Sequence, residues 1–294
     1  MIGERPRIVL AFFAIYVLWG STYLAIAVTV ETVPPLFAAG TRLVIAGTIL
    51  YVWAMMRGAA APSKDEWRNL AILGALMFLL TYSGLFWAEK SVPSGVASVL
   101  VATVPLWTAL LEMFVFKRQR PRAATLGAIL LGLVGVAILA LDPGGGRVNV
   151  LACLAIVAGE VAWSLGTALT TSMALPSSHL VASGGQMMTG GAMLLACSVL
   201  FGEVPPLPRI SLAAAGAIAY QVVAGSLIAF TAYEWLLTRV SATKVTSYAY
   251  VNPVVALIIG HELGGERIGV RTIVGCVLVL ASTIALLRRR EAKR

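Results

Sequence analysis

The chain has 294 residues, of which 59% are hydrophobic and 12% charged, and a formal net charge of +9. So little charge excludes an ordinary soluble domain. The positive excess has no soluble basic region to belong to, so no nucleic-acid partner is expected. A helix needs roughly 20 apolar residues to cross a bilayer, and about ten runs of that kind follow one another here.

In chain order the predicted spans lie near 8–29, 35–56, 69–87, 94–116, 123–141, 148–170, 180–201, 211–236, 241–262 and 268–287. The runs are continuous, unlike the short alternating segments of a membrane barrel, so the fold class is all-α. The first run follows Arg5 and Arg7 and contains Ala25-Ile26-Ala27, the pattern of a cleavable signal. Its length and its counterpart in the second half identify it instead as a retained span. With the N-terminus in the cytoplasm, 16 Lys and Arg fall in inner segments and 5 in outer ones, and Arg42 stays inside a span. The positive-inside rule then puts both termini in the cytoplasm and requires an even number of spans. Cys153, Cys197 and Cys276 lie in separate spans, which points to packing rather than to a disulfide or metal site.

The second half repeats the first. Trp19, Ala38, Gly40, Gly47 and Leu50 match Trp163, Ala182, Gly184, Gly191 and Leu194 at a constant separation of 144. Trp87, Val92, Pro105, Gly127, Leu130, Ala137 and Leu139 match Trp235, Val240, Pro253, Gly275, Leu278, Ala285 and Leu287 at 148. We expect residues 1–143 to form one five-helix repeat and 144–294 the other. Five spans is an odd number, so the second repeat enters from the opposite side. Such inverted repeats are characteristic of secondary transporters, with the substrate near the midplane between halves. Pro105 and Pro253 occupy equivalent mid-span positions, and each can act as a gating element or as a static kink.

Polar residues inside spans are costly and therefore informative. Glu160, Trp163, Ser164 and Thr167 share one face of span six, and Tyr16, Trp19, Gly20 and Tyr23 share the equivalent face of span one. Span nine adds Thr243, Thr246, Ser247 and Tyr250, with Tyr248 and Asn252 nearby; spans three and four add Tyr82, Ser83 and Trp107. Walls of Trp and Tyr with scattered hydroxyls suit a zwitterionic or uncharged molecule with a large apolar part. Trp53, Trp67, Trp87 and Trp235, closer to span ends, read as interfacial belt residues. Glu160 can serve in proton coupling, pair with a substrate amine, or be a hydrogen-bonded structural acid. Arg42 can snorkel outward or face the cavity and meet a carboxylate. Glu112 and Glu234 read as interfacial partners of Lys117 and Arg239.

Several motifs fall in a fixed order: Trp19-Gly20-Ser21-Thr22-Tyr23, Gly40-Thr41-Arg42-Leu43, Val104-Pro105-Leu106, Asn252-Pro253-Val254 and Gly265-Glu266-Arg267. On these the chain resembles the drug/metabolite transporter superfamily, more narrowly its ten-helix EamA-type exporters. The bacterial aromatic amino-acid exporters of the YddG type are the narrowest candidate group. The first repeat departs from the pattern, with Lys117-Arg118-Gln119 where Gly-Glu-Arg is usual. The resemblance implies an exporter of amphipathic metabolites in a bacterial inner membrane, with aromatic and other apolar amino acids as leading substrates. A proton-coupled exporter of lipophilic cations using Glu160, and a non-transporting sensor, are the rival readings. We expect a monomer whose partners are a small-molecule substrate and the bilayer. Neither ATP drive nor enzyme chemistry fits. The chain has no phosphate-binding loop, and His261-Glu262 lacks the second histidine of a zinc protease motif. Asp65 and Asp142 both lie in links. No cofactor is expected.

Overall fold

The computed structural model describes residues 4–117, 123–141, 149–170, 172–206, 210–237, 239–240, 245 and 247–291. These residues lie in ten helical spans, one of them broken, and among the described residues there is no strand. Seven helices are each long and apolar enough to cross a membrane: Glu4–Val30, Pro35–Met56, Lys64–Ala88, Ser94–Val115, Val150–Thr170, His179–Leu200 and Leu212–Tyr233. They are spans one to four and six to eight, and the last continues through Phe230–Leu237. Span five is Ala123–Leu141, span nine Tyr248–Glu262 and span ten Val270–Glu291. Large apolar side chains such as Phe13, Ile49, Leu80, Leu130, Val223 and Val277 point outward. That surface is unfavourable in water and ordinary against lipid tails.

The span starts are capped in ways the sequence explains. Ser63 and Glu66 form a reciprocal capping box at span three, and Ser178 and Ser211 cap spans seven and eight. Spans two and four begin at Pro34-Pro35 and Pro93-Ser94, which bring no capping side chain of their own. Their free amides are met from the other repeat. Glu203 accepts from the Leu36 amide at 3.1 Å, and Glu266 from Ser94 and Gly95 at 2.7 and 3.1 Å. A carboxylate suits the positive end of a helix dipole.

The repeat symmetry is visible in close backbone approaches. A Cβ on Gly47 would lie 2.7 Å from the Gly184 carbonyl, and one on Gly184 would lie 2.9 Å from that of Gly47. Gly40 and Gly191 face each other in the same reciprocal way, at 3.0 Å in both directions. Gly40 corresponds to Gly184 and Gly47 to Gly191, so the pseudo-two-fold axis passes between spans two and seven. Only glycine permits this approach, and close packing is what drives helix association in lipid. Spans five and ten pair similarly through Gly135 and Gly275. A second mark of the duplication was not read from sequence. Span three carries a π-helical stretch at Gly74–Leu80 and span eight one at Gln221–Ala229, the equivalent place.

Span four is broken. Its helix ends at Val101 and restarts at Val104, with Pro105 in the first turn of the new segment. Two other spans hold the break: Thr283 donates to the Ala102 carbonyl at 3.1 Å, and Ser164 to that of Val104, where the helix restarts, at 3.2 Å. Irregular backbone at membrane depth needs such protein partners. Pro253, by contrast, lies inside the continuous helix Tyr248–Glu262. The two equivalent prolines therefore stand in different local structures.

Candidate functional site

Two aromatic groups pack at corresponding places in the two repeats, one on spans one, eight and nine and the other on spans six and three. Trp19 packs at 5.0 Å from Tyr248 and 5.4 Å from Tyr233, and its indole donates to the Gly225 carbonyl at 2.8 Å. Trp163 meets Phe78 edge-on at 5.9 Å; Phe78 in turn contacts Tyr82, which contacts Phe86. Tyr23 stands between the groups. Glu160, Tyr82, Glu89 and Tyr248 are all within electrostatic reach of its hydroxyl.

Arg42 completes this centre. It is 4% exposed, and its guanidinium lies over the Tyr82 ring at 5.3 Å. It donates to Ser226 at 3.2 Å and to Gln221 at 3.3 Å. Gln221 is itself fixed, donating to the Ala25 carbonyl and to Thr29. The π-helical stretch of span eight presents Gln221, Gly225 and Ser226 together, and such stretches frequently mark functional sites. A Cβ on Gly225 would lie 3.0 Å from the Arg42 guanidinium, so glycine leaves room for the cation. Both its hydrogen-bond partners are neutral, and Glu89 lies within electrostatic reach without bonding to it. Among the described residues Arg42 forms no ion pair, which leaves a buried positive charge able to receive an anion.

Two buried carboxylates lie around the centre, Glu89 within electrostatic reach of Arg42 and Tyr23, and Glu160 within reach of Tyr23. Glu160 is 2% exposed at mid-span six. Glu89, which directly follows span three, is 6% exposed, and neither oxygen has a hydrogen-bond partner. Burial, then the negative charge of Glu266, push the Glu89 carboxyl well above the usual carboxylate range. The Ala27 backbone and Arg42 pull the other way, near enough to favour the charge without forming a bond of ordinary geometry.

The other residues singled out in the sequence are distributed as follows. Tyr82, Trp19, Tyr23, Tyr248 and Trp163 belong to the aromatic centre. Asn252 is buried; with its amide nitrogen facing span one it donates to the Ile15 and Tyr16 carbonyls, each at 3.1 Å, within the π-helical stretch Ala14–Leu18. Ser164 is fully buried and serves the break in span four. Thr167 is exposed and bonds the Trp163 carbonyl of its own helix. The Trp107 indole donates to Thr103, one turn earlier. Tyr250 is half-buried and shows no ring contact with the aromatic centre. Thr246 and Thr243 lie outside the described residues, as do the 143/144 repeat boundary and the Glu234 side chain. Tyr16 bonds Ser247 at 2.5 Å. At the span ends Arg57 stacks on Trp53 and Arg239 on Trp235. Trp87 is 38% exposed and lines a cleft of about 280 Å³ with Pro35, Leu36, Ser83, Gly84 and Glu203.

Phe78, Gln221, Ser226, Tyr233 and Glu89 were not anticipated. Gln221 was detectable as an amide in mid-span. Glu89 was hidden by Lys90 beside it, which marks an interface.

Comparison with known proteins agrees with this architecture. The chain is 37% identical over 262 residues to the uncharacterized inner membrane transporter YedA of Escherichia coli, covering 88% of this chain and 83% of that one. It is 27% identical to protein PecM of Dickeya dadantii, over 96% and 95% of the two chains. At 26% identity it matches the uncharacterized transporter sll0355 of Synechocystis, over 97% and 91%. A crystallised protein of 22% identity superposes with a TM-score of 0.65, over 97% of this chain and 98% of its own, and shows the fold alone. The EamA-like transporter family matches twice, over residues 6–141 and again over 150–288, one match per five-helix repeat. The chain is a multi-pass membrane protein of ten helices in two inverted repeats, and it belongs to the EamA-like transporter family.

Proposed function

We propose that this transporter exports amphipathic amino acids, aromatic ones foremost, across a bacterial inner membrane by alternating access around the Arg42 centre. The carrying observation is a buried guanidinium whose two hydrogen-bond partners are neutral and which lies over the Tyr82 ring. A substrate carboxylate meets Arg42 in the bidentate geometry that guanidinium favours. Tyr82, Phe78 and Trp163 receive the apolar side chain, at about 0.5–1.5 kcal/mol per aromatic contact. Glu160 is the available partner for the substrate ammonium. The two halves of the site come from different repeats, as alternating access requires. The names of YedA and sll0355 support transport in general and name no substrate.

A lipophilic-cation exporter using Glu160 is less well supported, because Arg42 would repel the cargo. A non-transporting sensor has no support in a family of transporters. The test is flux in proteoliposomes with labelled phenylalanine, alanine and a lipophilic cation, each with and without a pH gradient. Phenylalanine is expected to move fastest and the cation slowest. Cation flux without amino-acid flux overturns the proposal.

A further inference from the structure

The charged groups of this molecule are not shared equally between its two faces. Arg42 corresponds in the second repeat to Gln186, Glu89 to Leu237 and Glu266 to Arg118. The fold is built twice, yet only the end that the basic-residue bias assigns outside carries this set. The repeat scaffold therefore does not itself require it. At that end Glu266, from the link between spans nine and ten, holds the start of span four through the Ser94 and Gly95 amides. A rigid-body movement of one repeat against the other that opens the outer face must break those two bonds.

Two further buried groups at the same place lack partners. The Ser94 hydroxyl is fully buried with no hydrogen bond, and both Glu89 oxygens are equally unmatched. Ser94 Oγ and a Glu266 carboxylate oxygen crowd the same face of span nine, at 3.0 and 2.6 Å from where a Cβ on Gly260 would sit. The groups facing Glu89 are Tyr23 of span one, Arg42 of span two and Glu266. Lys90, next in the chain, is exposed. Burying an ionised carboxylate without hydrogen bonds is expensive, and a second carboxylate nearby adds to the cost.

We propose that Glu89 is a proton-binding site that controls the outer closure: the closed outer face takes up a proton on Glu89, and ionisation of Glu89 favours opening. This inference rests on the transporter reading, and it is separate from any role of Glu160. The step is a simple exchange. Glu89 gains a proton from outer water as the face closes, and returns it there when the Glu266 cap releases. The sign follows from the closed-state proton affinity, which is raised by burial and by Glu266. The contribution of Glu89 to closure is complete below the ordinary carboxylate value of about 4.3 and is lost as outer pH rises through the raised value. Acid outside favours the closed face, and alkali the open one.

The test needs no substrate, so it can fail without touching the transport proposal. Cys153, Cys197 and Cys276 are replaced by alanine, and a single cysteine is introduced by Ser94→Cys. Its labelling by a membrane-impermeant maleimide is followed across outer pH in proteoliposomes, with and without Glu89→Gln. The ratio of the parent rate to the Gln-variant rate removes the thiol ionisation common to both, and the Glu89 charge itself disfavours the thiolate and slows the parent, opposite to the expected rise. The ratio is expected to be near one in acid and to rise severalfold in alkali, because glutamine mimics the protonated acid at every pH. A ratio that stays flat across pH overturns the proposal. Should Glu89→Gln fail to fold, Glu266→Gln on the same background replaces it. Removing that neighbouring charge is expected to move the midpoint of the labelling rise to lower pH. Faster labelling with an unmoved midpoint would make Glu266 only a mechanical latch and would overturn the proton site.

Discussion

At the residue scale the molecule divides its buried polar groups into those that finish the fold and those that stay available. Ser164, Thr283 and Asn252 spend their hydrogen bonds on backbone carbonyls of broken or π-helical stretches. Arg42 and Glu160 have no such duty to a helix. Glu160→Gln is expected to keep more than about a tenth of transport, a loss below roughly 1.4 kcal/mol in the barrier. Abolished flux in well-folded protein, together with loss of pH-gradient dependence, would give the coupling to Glu160 and favour the cation reading. Trp163→Ala removes ring surface beside Phe78 and is expected to reduce phenylalanine transport more than alanine transport. Equal losses in competition flux at matched protein levels would reduce Trp163 to packing. Trp87→Ala, at an exposed position, is expected to leave that selectivity unchanged.

At the element scale the spans were legible because a continuous apolar run has one meaning in a bilayer. The duplicated glycines were legible too, since Gly40, Gly47, Gly184 and Gly191 recur at a fixed separation and meet across one helix pair. Their contact predicts an outcome. Gly184→Leu is expected to destabilise by about 1–3 kcal/mol through overpacking, seen as a lower melting temperature in detergent; unchanged melting would remove the axis from between spans two and seven. Asn252→Ala leaves the Ile15 and Tyr16 carbonyls without their donor, at a cost of about 1–3 kcal/mol. What was not legible has a physical reason in each case. No residue pattern encodes a π-helical stretch, so the presentation of Gln221 and Ser226 was invisible. A long arginine side chain can snorkel or turn inward, and Arg42 is decided by partners 179 and 184 residues away in the chain. Glu266 looked like a motif residue in a link, although its role is to cap a helix of the opposite repeat.

At the scale of the whole molecule, two copies of one five-helix design enclose a centre whose charges break the symmetry. The orientation follows from the basic bias of 16 to 5. Reporter fusions at residue 294 and within 142–147 are expected to report a cytoplasmic and an external location respectively. An external C-terminus would exchange the outer and inner faces of the molecule. The role proposed for Arg42, buried and with neutral hydrogen-bond partners, is to receive the carboxylate of an amphipathic amino acid. It is tested most directly by counterflow of labelled phenylalanine in proteoliposomes of the wild type and of Arg42→Gln, at equal protein and equal melting temperature. Accelerated exchange is expected in the wild type, with at least about a tenfold loss in the variant, roughly 1.4 kcal/mol or more in the barrier. Exchange at the wild-type rate in Arg42→Gln would contradict it.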